Sequence, residues 1–244
     1  MRASDHDSEQ DLTELKTYLG DDYDEQRLIK YREALTAATS LDTFYKSNQA
    51  LYDLTAFAMN RTKIPYRSAL RRIVAPPARL LDYGCGIGSD GLRFINDGYQ
   101  VEFADFDCPS TRYLRWRLEH RHLDSAVYNI GGDVPGGFDA AYAFDVIYLV
   151  PDPFAFLTYL EERARIVVVN LIQDPLEETR RSRPLPIGDV VAYARRRGLL
   201  YYRRFYGRSH MLIYTSERTR RSAQQLRSQA LYARARLEQA AGLQ

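Results

Sequence analysis

The stretch that decides the fold reads Leu-Leu-Asp-Tyr-Gly-Cys-Gly-Ile-Gly at residues 80–88. A short apolar run ends in an acid, and three alternate glycines, Gly84, Gly86 and Gly88, precede a helical pattern. Glycine permits a tight turn and lets a ligand approach the backbone, because no Cβ atom stands in the way. The pattern predicts a strand, a glycine-rich turn and a helix N-terminus, with free amides that can bind oxygen atoms.

A second acid stands 17 residues after Gly88, where Asp105 ends the apolar run Val101–Asp105. A carboxylate at the end of that strand is placed to accept hydrogen bonds from two vicinal ribose hydroxyls. The third glycine comes one residue earlier than in the usual dinucleotide fingerprint. Asp82 would repel a pyrophosphate, but it suits a ligand that carries an ammonium group.

Further apolar runs follow the glycine-rich turn and alternate with helical patterns. This alternation predicts βαβ units and a parallel sheet. Two runs around Gly207 predict a closing hairpin. The predicted strands beyond Asp105 are Ala126–Ile130, Ala140–Phe144, Arg165–Leu171, Leu199–Phe205 and Met211–Tyr214.

These residues resemble the class I S-adenosylmethionine (SAM) dependent methyltransferases over about residues 76–216. Asp82–Gly88 looks like their first motif, Asp105 like their ribose-binding acid, and Phe138–Pro153 like their fourth-strand motif. The resemblance implies an α/β fold with a Rossmann-like, seven-stranded, mostly parallel sheet, helices on both faces and an antiparallel last strand. It also implies SAM as the cofactor and S-adenosylhomocysteine (SAH) as its product.

The resemblance assigns cofactor-binding roles to individual residues. Gly84, Gly86 and Gly88 would present their backbone to the methionine part of SAM. Asp82 would face its ammonium group, and Asp105 would hold the ribose.

Three further cofactor contacts follow from the same resemblance. Phe106 would lie against the adenine, and Asp145 would line the methionine end. Asp133 would either reach the adenine amino group or serve only as a turn residue.

Methyl transfer needs an aligned nucleophile and a site without water, and it needs a base only where the nucleophile holds its proton tightly. Many relatives carry a Glu-His pair just after the fourth strand, where this chain has Tyr148 and Leu149. Tyr148 could orient or deprotonate a substrate. His210 is a second catalytic candidate, and the alternative is a hairpin residue remote from the pocket.

The chain divides by pattern into a helical cap (residues 1–75), a SAM-binding core (76–216) and an Arg-rich helix (217–244). Residues 1–10 are polar and are expected to be frayed. Tyr45 and Tyr52 stand seven residues apart, which predicts one shared helix face. That face could close over SAM and an acceptor, with Tyr45 as a cofactor contact and Tyr52 as a catalytic residue, or it could simply pack the cap onto the sheet.

The amino-acid composition excludes several classes of protein. With 45% hydrophobic and 27% charged residues, a sizeable core is expected, and no apolar run reaches the length of a membrane span. Two cysteines exclude a disulfide framework and a zinc cluster. His120 and His122 lie on an Arg- and Glu-rich pattern that indicates a solvated face, so no metal is expected. The cytoplasm is the expected compartment.

The net charge of +2 conceals an asymmetry, since residues 180–244 carry 15 arginines and only three acids. A basic end can indicate a nucleic-acid partner, a solvated surface or a contact with the acidic first 25 residues. We hypothesise that the tail and these acids meet, within one chain or across a homodimer.

The favoured function is methyl transfer to the O, N or C atom of a small aromatic or apolar molecule, with secondary metabolism as its setting. A nucleic-acid partner is disfavoured, because the fourth strand lacks the (Asp/Asn)-Pro-Pro-Tyr motif used on base amino groups. Two alternatives stay open. One is an RNA or protein methyltransferase that uses the Arg-rich end, and the other is a SAM-binding partner subunit without catalysis.

Overall fold

The structure is a computed structural model that describes residues 3–31, 33, 41–173, 185–216, 230, 231 and 233. Seven strands form one sheet in the order β3-β2-β1-β4-β5-β7-β6. The pairs β1–β4, β2–β3 and β4–β5 are parallel, whereas β7 is antiparallel to both β5 and β6. The predicted seven-stranded, mostly parallel sheet with an antiparallel last strand is therefore confirmed. The strands are β1 (Arg79–Tyr83), β2 (Gln100–Asp105), β3 (Val127–Asn129), β4 (Phe138–Ala143), β5 (Ala164–Ile172), β6 (Leu199–Phe205) and β7 (Ser209–Thr215).

The helices of the described residues lie before and between these strands. A short 3₁₀ turn, Gly20–Asp22, follows the first of them. They are α1 (Ala3–Leu19), α2 (Glu25–Ile29), α3 (Leu41–Tyr45), α4 (Gln49–Met59), α5 (Ile64–Arg71), α6 (Ser89–Asn96), α7 (Pro109–His120), α8 (Pro153–Glu161) and α9 (Ile187–Arg197). None of these described helices is both long and apolar enough to cross a bilayer.

Helix α1 corrects the expectation of a frayed N-terminus, because it begins at Ala3. Further along, Asp11, Glu14 and Leu15 are buried, so tertiary contacts hold the helix in place.

The prediction that Tyr45 and Tyr52 share one helix face is wrong. Helix α3 ends at Tyr45 and α4 begins only at Gln49. Between them the Ser47 hydroxyl donates to the Phe44 carbonyl at 2.7 Å, and its amide donates to the same oxygen at 2.9 Å. Such local side-chain hydrogen bonds compete with the helical ladder, which explains the break.

The chain forms two compact units, the first comprising Met1–Ile64 and Gly84–Val134 and the second Pro65–Tyr83 and Pro135–Gln244. The centre of the first unit is a set of almost fully buried side chains. Helices α1, α4 and α7 and the glycine turn contribute to it. Its members are Leu15, Leu51, Tyr52, Ile87 and Tyr113.

In the second unit the central strands are buried along almost their whole length. Val167, Val168 and Val169 of β5 have no exposed surface. Continuous β-branched runs of this kind are typical of strands that are covered on both faces. This is why β5 could be predicted from the sequence. The division into cap, core and tail stays a prediction, and almost all of the Arg-rich segment 217–244 lies outside the described residues.

Candidate active site

The glycine-rich turn joins strand β1 to helix α6 in left-handed backbone conformations. Gly84, Gly86 and Gly88 have φ values of +71°, +53° and +73°. At Gly88 a Cβ atom would stand 2.3 Å from Leu114 of α7, so glycine is required there by both conformation and packing. At Gly86 it would stand 3.1 Å from Leu54 of α4. The alternate glycines therefore serve close helix packing as well as the turn itself.

The backbone of the turn is tied to strand β2, contrary to the expectation of free amides. Gly84 and Cys85 both donate to the Ala104 carbonyl, at 2.8 and 3.3 Å. Gly86 donates to the Asp105 carboxylate at 2.7 Å, and Gly88 donates to the Cys85 carbonyl at 2.8 Å. The expectation is wrong for these four amides, because three of them donate to strand β2 and the fourth donates to a carbonyl of the turn itself.

Asp105 stands at the carboxyl end of β2 and joins the turn through its side chain. One carboxylate oxygen accepts from the Gly86 amide at 2.7 Å, and the other accepts from the Phe106 amide at 2.8 Å. An ionised carboxylate has about four lone-pair sites, so each oxygen can accept one more hydrogen bond. Two vicinal hydroxyls fit that remaining capacity.

The charge state of Asp105 depends on opposing effects. Burial raises the pKa of this carboxyl above its ordinary value, and the hydrogen bonds from Gly86 and Phe106 partly lower it. The two amides hold the side chain in one orientation, while burial makes the unliganded carboxylate readier to take up a proton.

Two further predicted contacts lie in the same unit. Phe106 is 53% exposed directly after β2, which is unusual for a large apolar ring and compatible with a planar ligand. Asp133 is exposed in the loop between β3 and β4. This exposed loop position favours the alternative that Asp133 is only a turn residue. The contact with adenine stays a prediction.

In the second unit, Asp82 is buried in β1 next to the turn, and Asp145 follows β4. Asp145 has a φ of +62°, which is uncommon for a residue other than glycine. Asn170 of β5 holds it from both sides, accepting from its amide at 2.7 Å and donating to its carboxylate at 2.6 Å. Strained backbone held this firmly often marks a functional position.

Asn170 was missed by the sequence analysis. It is fully buried within an otherwise apolar strand, and that polar interruption of the run Val167–Ile172 was the available signal.

The predicted catalytic residues occupy different environments. Tyr148 is half-buried in the turn after β4. His210 is fully buried in β7, where its Nδ1 lies 2.6 Å from the Tyr202 hydroxyl and its Nε2 lies 3.3 Å from the Gln173 amide oxygen. These contacts support the hairpin alternative for His210, and its catalytic role stays a prediction.

Tyr52 and Tyr45 also differ in how deeply their side chains are buried. Tyr52 is 1% exposed, and its hydroxyl accepts from the Asp24 amide at 3.0 Å and donates to the Asp22 carbonyl at 3.3 Å. This environment supports a packing role for Tyr52. Tyr45 is partly buried against Phe44, with ring centroids 5.4 Å apart. No group of three or more potential metal ligands occurs among the residues that the structure describes.

Comparison with known proteins agrees with the resemblance seen in the sequence. No family model matches the chain. The chain is 29% identical over 105 residues to the ubiquinone biosynthesis O-methyltransferase of Xanthomonas campestris, a match covering 41% of this chain and 43% of that relative. The chain thus spans less than half the length of this relative.

Solved structures share the fold at low identity. Magnesium protoporphyrin IX methyltransferase from Synechocystis, crystallised with SAH, superimposes with a TM-score of 0.55 at 16% identity, over 81% of this chain and 98% of that one. TehB from Haemophilus influenzae gives a TM-score of 0.52 at 16% identity, over 67% and 66%. These likenesses confirm the Rossmann-like fold, which the solved Synechocystis methyltransferase shares.

Proposed function

We propose that this chain is a SAM-dependent methyltransferase that acts on a small molecule. The observation that supports this proposal is the combined geometry of the glycine turn and Asp105. The turn is held in a left-handed conformation, and the carboxylate beside it keeps one acceptor site on each oxygen. That arrangement suits a ribose with two vicinal hydroxyls, next to a turn whose glycines permit close approach.

SAM would supply an already activated methyl group, so the chain has to bind, orient and exclude water. Asp105 would hold the ribose, and the exposed ring of Phe106 would cover one face of the adenine. Asp82, Asp145, Asp133 and Tyr45 stay predicted cofactor contacts.

We propose an oxygen atom on an aromatic ring as the first acceptor to test. The Xanthomonas relative is named an O-methyltransferase, and phenols need only a modest base. Tyr148 is the candidate to orient the acceptor. We further propose that the chain forms a homodimer in the cytoplasm, and light scattering would test the dimer. We also propose a role in secondary metabolism, which the identity of the accepted substrate would test.

The deciding experiment is calorimetric titration of the full chain with SAH. We expect one site per chain in the wild type and at least about tenfold weaker binding in Asp105→Asn, because a neutral amide accepts ribose hydrogen bonds less strongly. Asp107→Asn is the matched control, since Asp107 is an exposed acid two residues later, and it should bind like the wild type. Absence of SAH binding to the wild type would refute the proposal.

A second assay separates the alternatives. Radiolabelled SAM is incubated with a panel of phenols, with RNA and with protein. Transfer to a phenol supports the proposal, and transfer to RNA or protein alone would refute the small-molecule assignment. Binding of SAH without transfer to any acceptor would favour a partner subunit.

A further inference from the structure

A buried cluster of charges lies directly behind the glycine turn. Its centre is Arg117 of helix α7, whose side chain has no exposed surface. The guanidinium donates to the Ile87 carbonyl at 2.7 Å and to the Ser89 hydroxyl at 2.9 Å. Ile87 stands between Gly86 and Gly88, so Arg117 holds the middle of the turn and the first residue of α6.

Helix α1 supplies the carboxylates for this cluster. Asp11, 2% exposed, forms ion pairs with both Arg117 and Arg93, the latter at 2.5 Å. Arg93 in turn donates to the Ser89 carbonyl at 2.8 Å, and the Ser89 hydroxyl contacts Asp11 at 3.2 Å. The Asp11 carboxylate therefore holds both arginines that donate hydrogen bonds to Ser89, the first residue of α6.

A second carboxylate of α1 joins the cluster and brings in a third arginine. Glu14 accepts from Arg117 at 2.8 Å and from Arg121 at 2.6 and 2.8 Å. Burial alone would raise the pKa of Glu14, but the hydrogen bonds and charges of Arg121 and Arg117 bring it below its ordinary value. Glu14 is thus held ionised beside the arginines.

The side chain of Ile87 is bound as well as its carbonyl. It packs with Leu15 of α1 in the buried cluster of the first unit. A turn with glycine on both sides of Ile87 has unusual conformational freedom, and any freedom left in the free protein must be given up when a ligand binds. Contacts that order the turn beforehand therefore increase affinity without touching the ligand.

We propose that Asp11, Arg93 and Arg117 are positioning residues of the cofactor site, through which docking of the acidic helix α1 fixes the glycine turn in its binding conformation. The proposal rests on SAM as the ligand of the turn. It makes the N-terminal helix a determinant of cofactor affinity, although these three side chains act through Ile87 and Ser89.

The test compares Asp11→Asn with Glu9→Gln. Both changes neutralise one acid of α1, but Glu9 is exposed. SAH binding is measured by calorimetry well below the unfolding midpoint of each variant, where each is fully folded. We expect at least about tenfold weaker binding for Asp11→Asn and unchanged binding for Glu9→Gln. A purely structural role would lower the midpoint and leave the affinity of the folded protein unchanged, which would overturn the proposal.

Ser89→Ala is a milder variant in case Asp11→Asn does not fold. It removes the hydroxyl that bridges Arg117 and Asp11 and leaves both charges paired, so about threefold weaker binding is expected. Unchanged binding in a folded Ser89→Ala, with Asp11→Asn unfolded, would count against positioning.

Hydrogen exchange separates this proposal from the proposed function. The Gly88 amide, bonded to the Cys85 carbonyl at 2.8 Å, reports the turn without any ligand. Its exchange should accelerate in Asp11→Asn and not in Glu9→Gln. If the wild type fails to bind SAH, the proposed function is refuted, while faster exchange still supports the contact of α1 with the turn. Unchanged exchange would overturn the positioning role itself.

Discussion

Replacement of Gly88 by alanine probes how the glycine turn is built. A Cβ atom at Gly88 would stand 2.3 Å from one terminal methyl of Leu114 and 3.1 Å from the other. Leu114 is fully buried in α7, so the methyl groups cannot swing into solvent. The residue also has a φ of +73°, which an L side chain rarely adopts.

The expected cost has two parts. The left-handed conformation costs alanine about 1–2 kcal/mol, and forcing a methyl group into a packed core costs about 1–3 kcal/mol. The sum is a loss of about 2–5 kcal/mol in the free energy of unfolding. Gly20→Ala is the matched control, because Gly20 has a φ of +53° and no atom within 4 Å of the added Cβ. It should lose only the conformational part.

The assay is urea unfolding followed by circular dichroism, with Leu114→Ala and the Gly88→Ala/Leu114→Ala double variant as a cycle. Shortening Leu114 makes room for the new methyl group, so the double variant should be at least about 1 kcal/mol more stable than the sum of the single losses predicts. Equal losses for Gly88→Ala and Gly20→Ala, or strict additivity in the cycle, would refute the packing argument.

Three other perturbations test separate features. Because the pKa of Asp105 is raised and ribose hydroxyls favour its ionised form, SAH affinity should fall as the pH drops through that raised pKa. Calorimetry at stepwise lower pH, down to the onset of acid unfolding, should show the loss, and an identical pH profile in Asp105→Asn would contradict it. Asn170→Leu should cost about 2–3 kcal/mol in urea unfolding, because Asp145 loses both hydrogen bonds to Asn170; Asn170→Asp should also be destabilised, because a carboxylate has no N–H to donate to Asp145 and would stand beside its charge, and a wild-type midpoint for the leucine variant would show that the pair is dispensable. Deletion of residues 217–244 should lower the melting point or the assembled mass if the basic tail contacts the acidic N-terminus; an unchanged melting point and mass would reject that contact.

The strands of the sheet could be predicted because their residue types leave little choice. The β-branched residues of β5 are enriched in strands, and the short apolar run before the glycine turn has the length of a buried strand. The glycines at 84, 86 and 88 likewise predicted a tight turn, which the structure forms with left-handed backbone. Local pattern and tertiary structure agree in these segments, and the predicted boundaries differ by only a few residues.

The environment of the side chains could not be predicted in the same way. Tyr45 and Tyr52 have helical spacing, but the hydroxyl of Ser47 ends the helix between them. The turn amides looked free because their acceptors, Ala104 and Asp105, stand on the next strand. The second error concerns partners distant in sequence, which periodicity does not report.

The charge asymmetry takes a different meaning once burial is known. Helix α7 carries three arginines and one glutamate, and its C-terminal end is solvated as expected, since His120 and the following His122 are exposed. Arg117 on the same helix is fully buried, because Asp11 and Glu14 supply the opposite charges without which its burial would be prohibitive. Acids of the N-terminal segment are therefore already matched by arginines of the first unit. An arginine-rich composition is therefore weak evidence for a nucleic-acid partner until it is known which guanidinium groups pair with carboxylates and which are exposed to solvent.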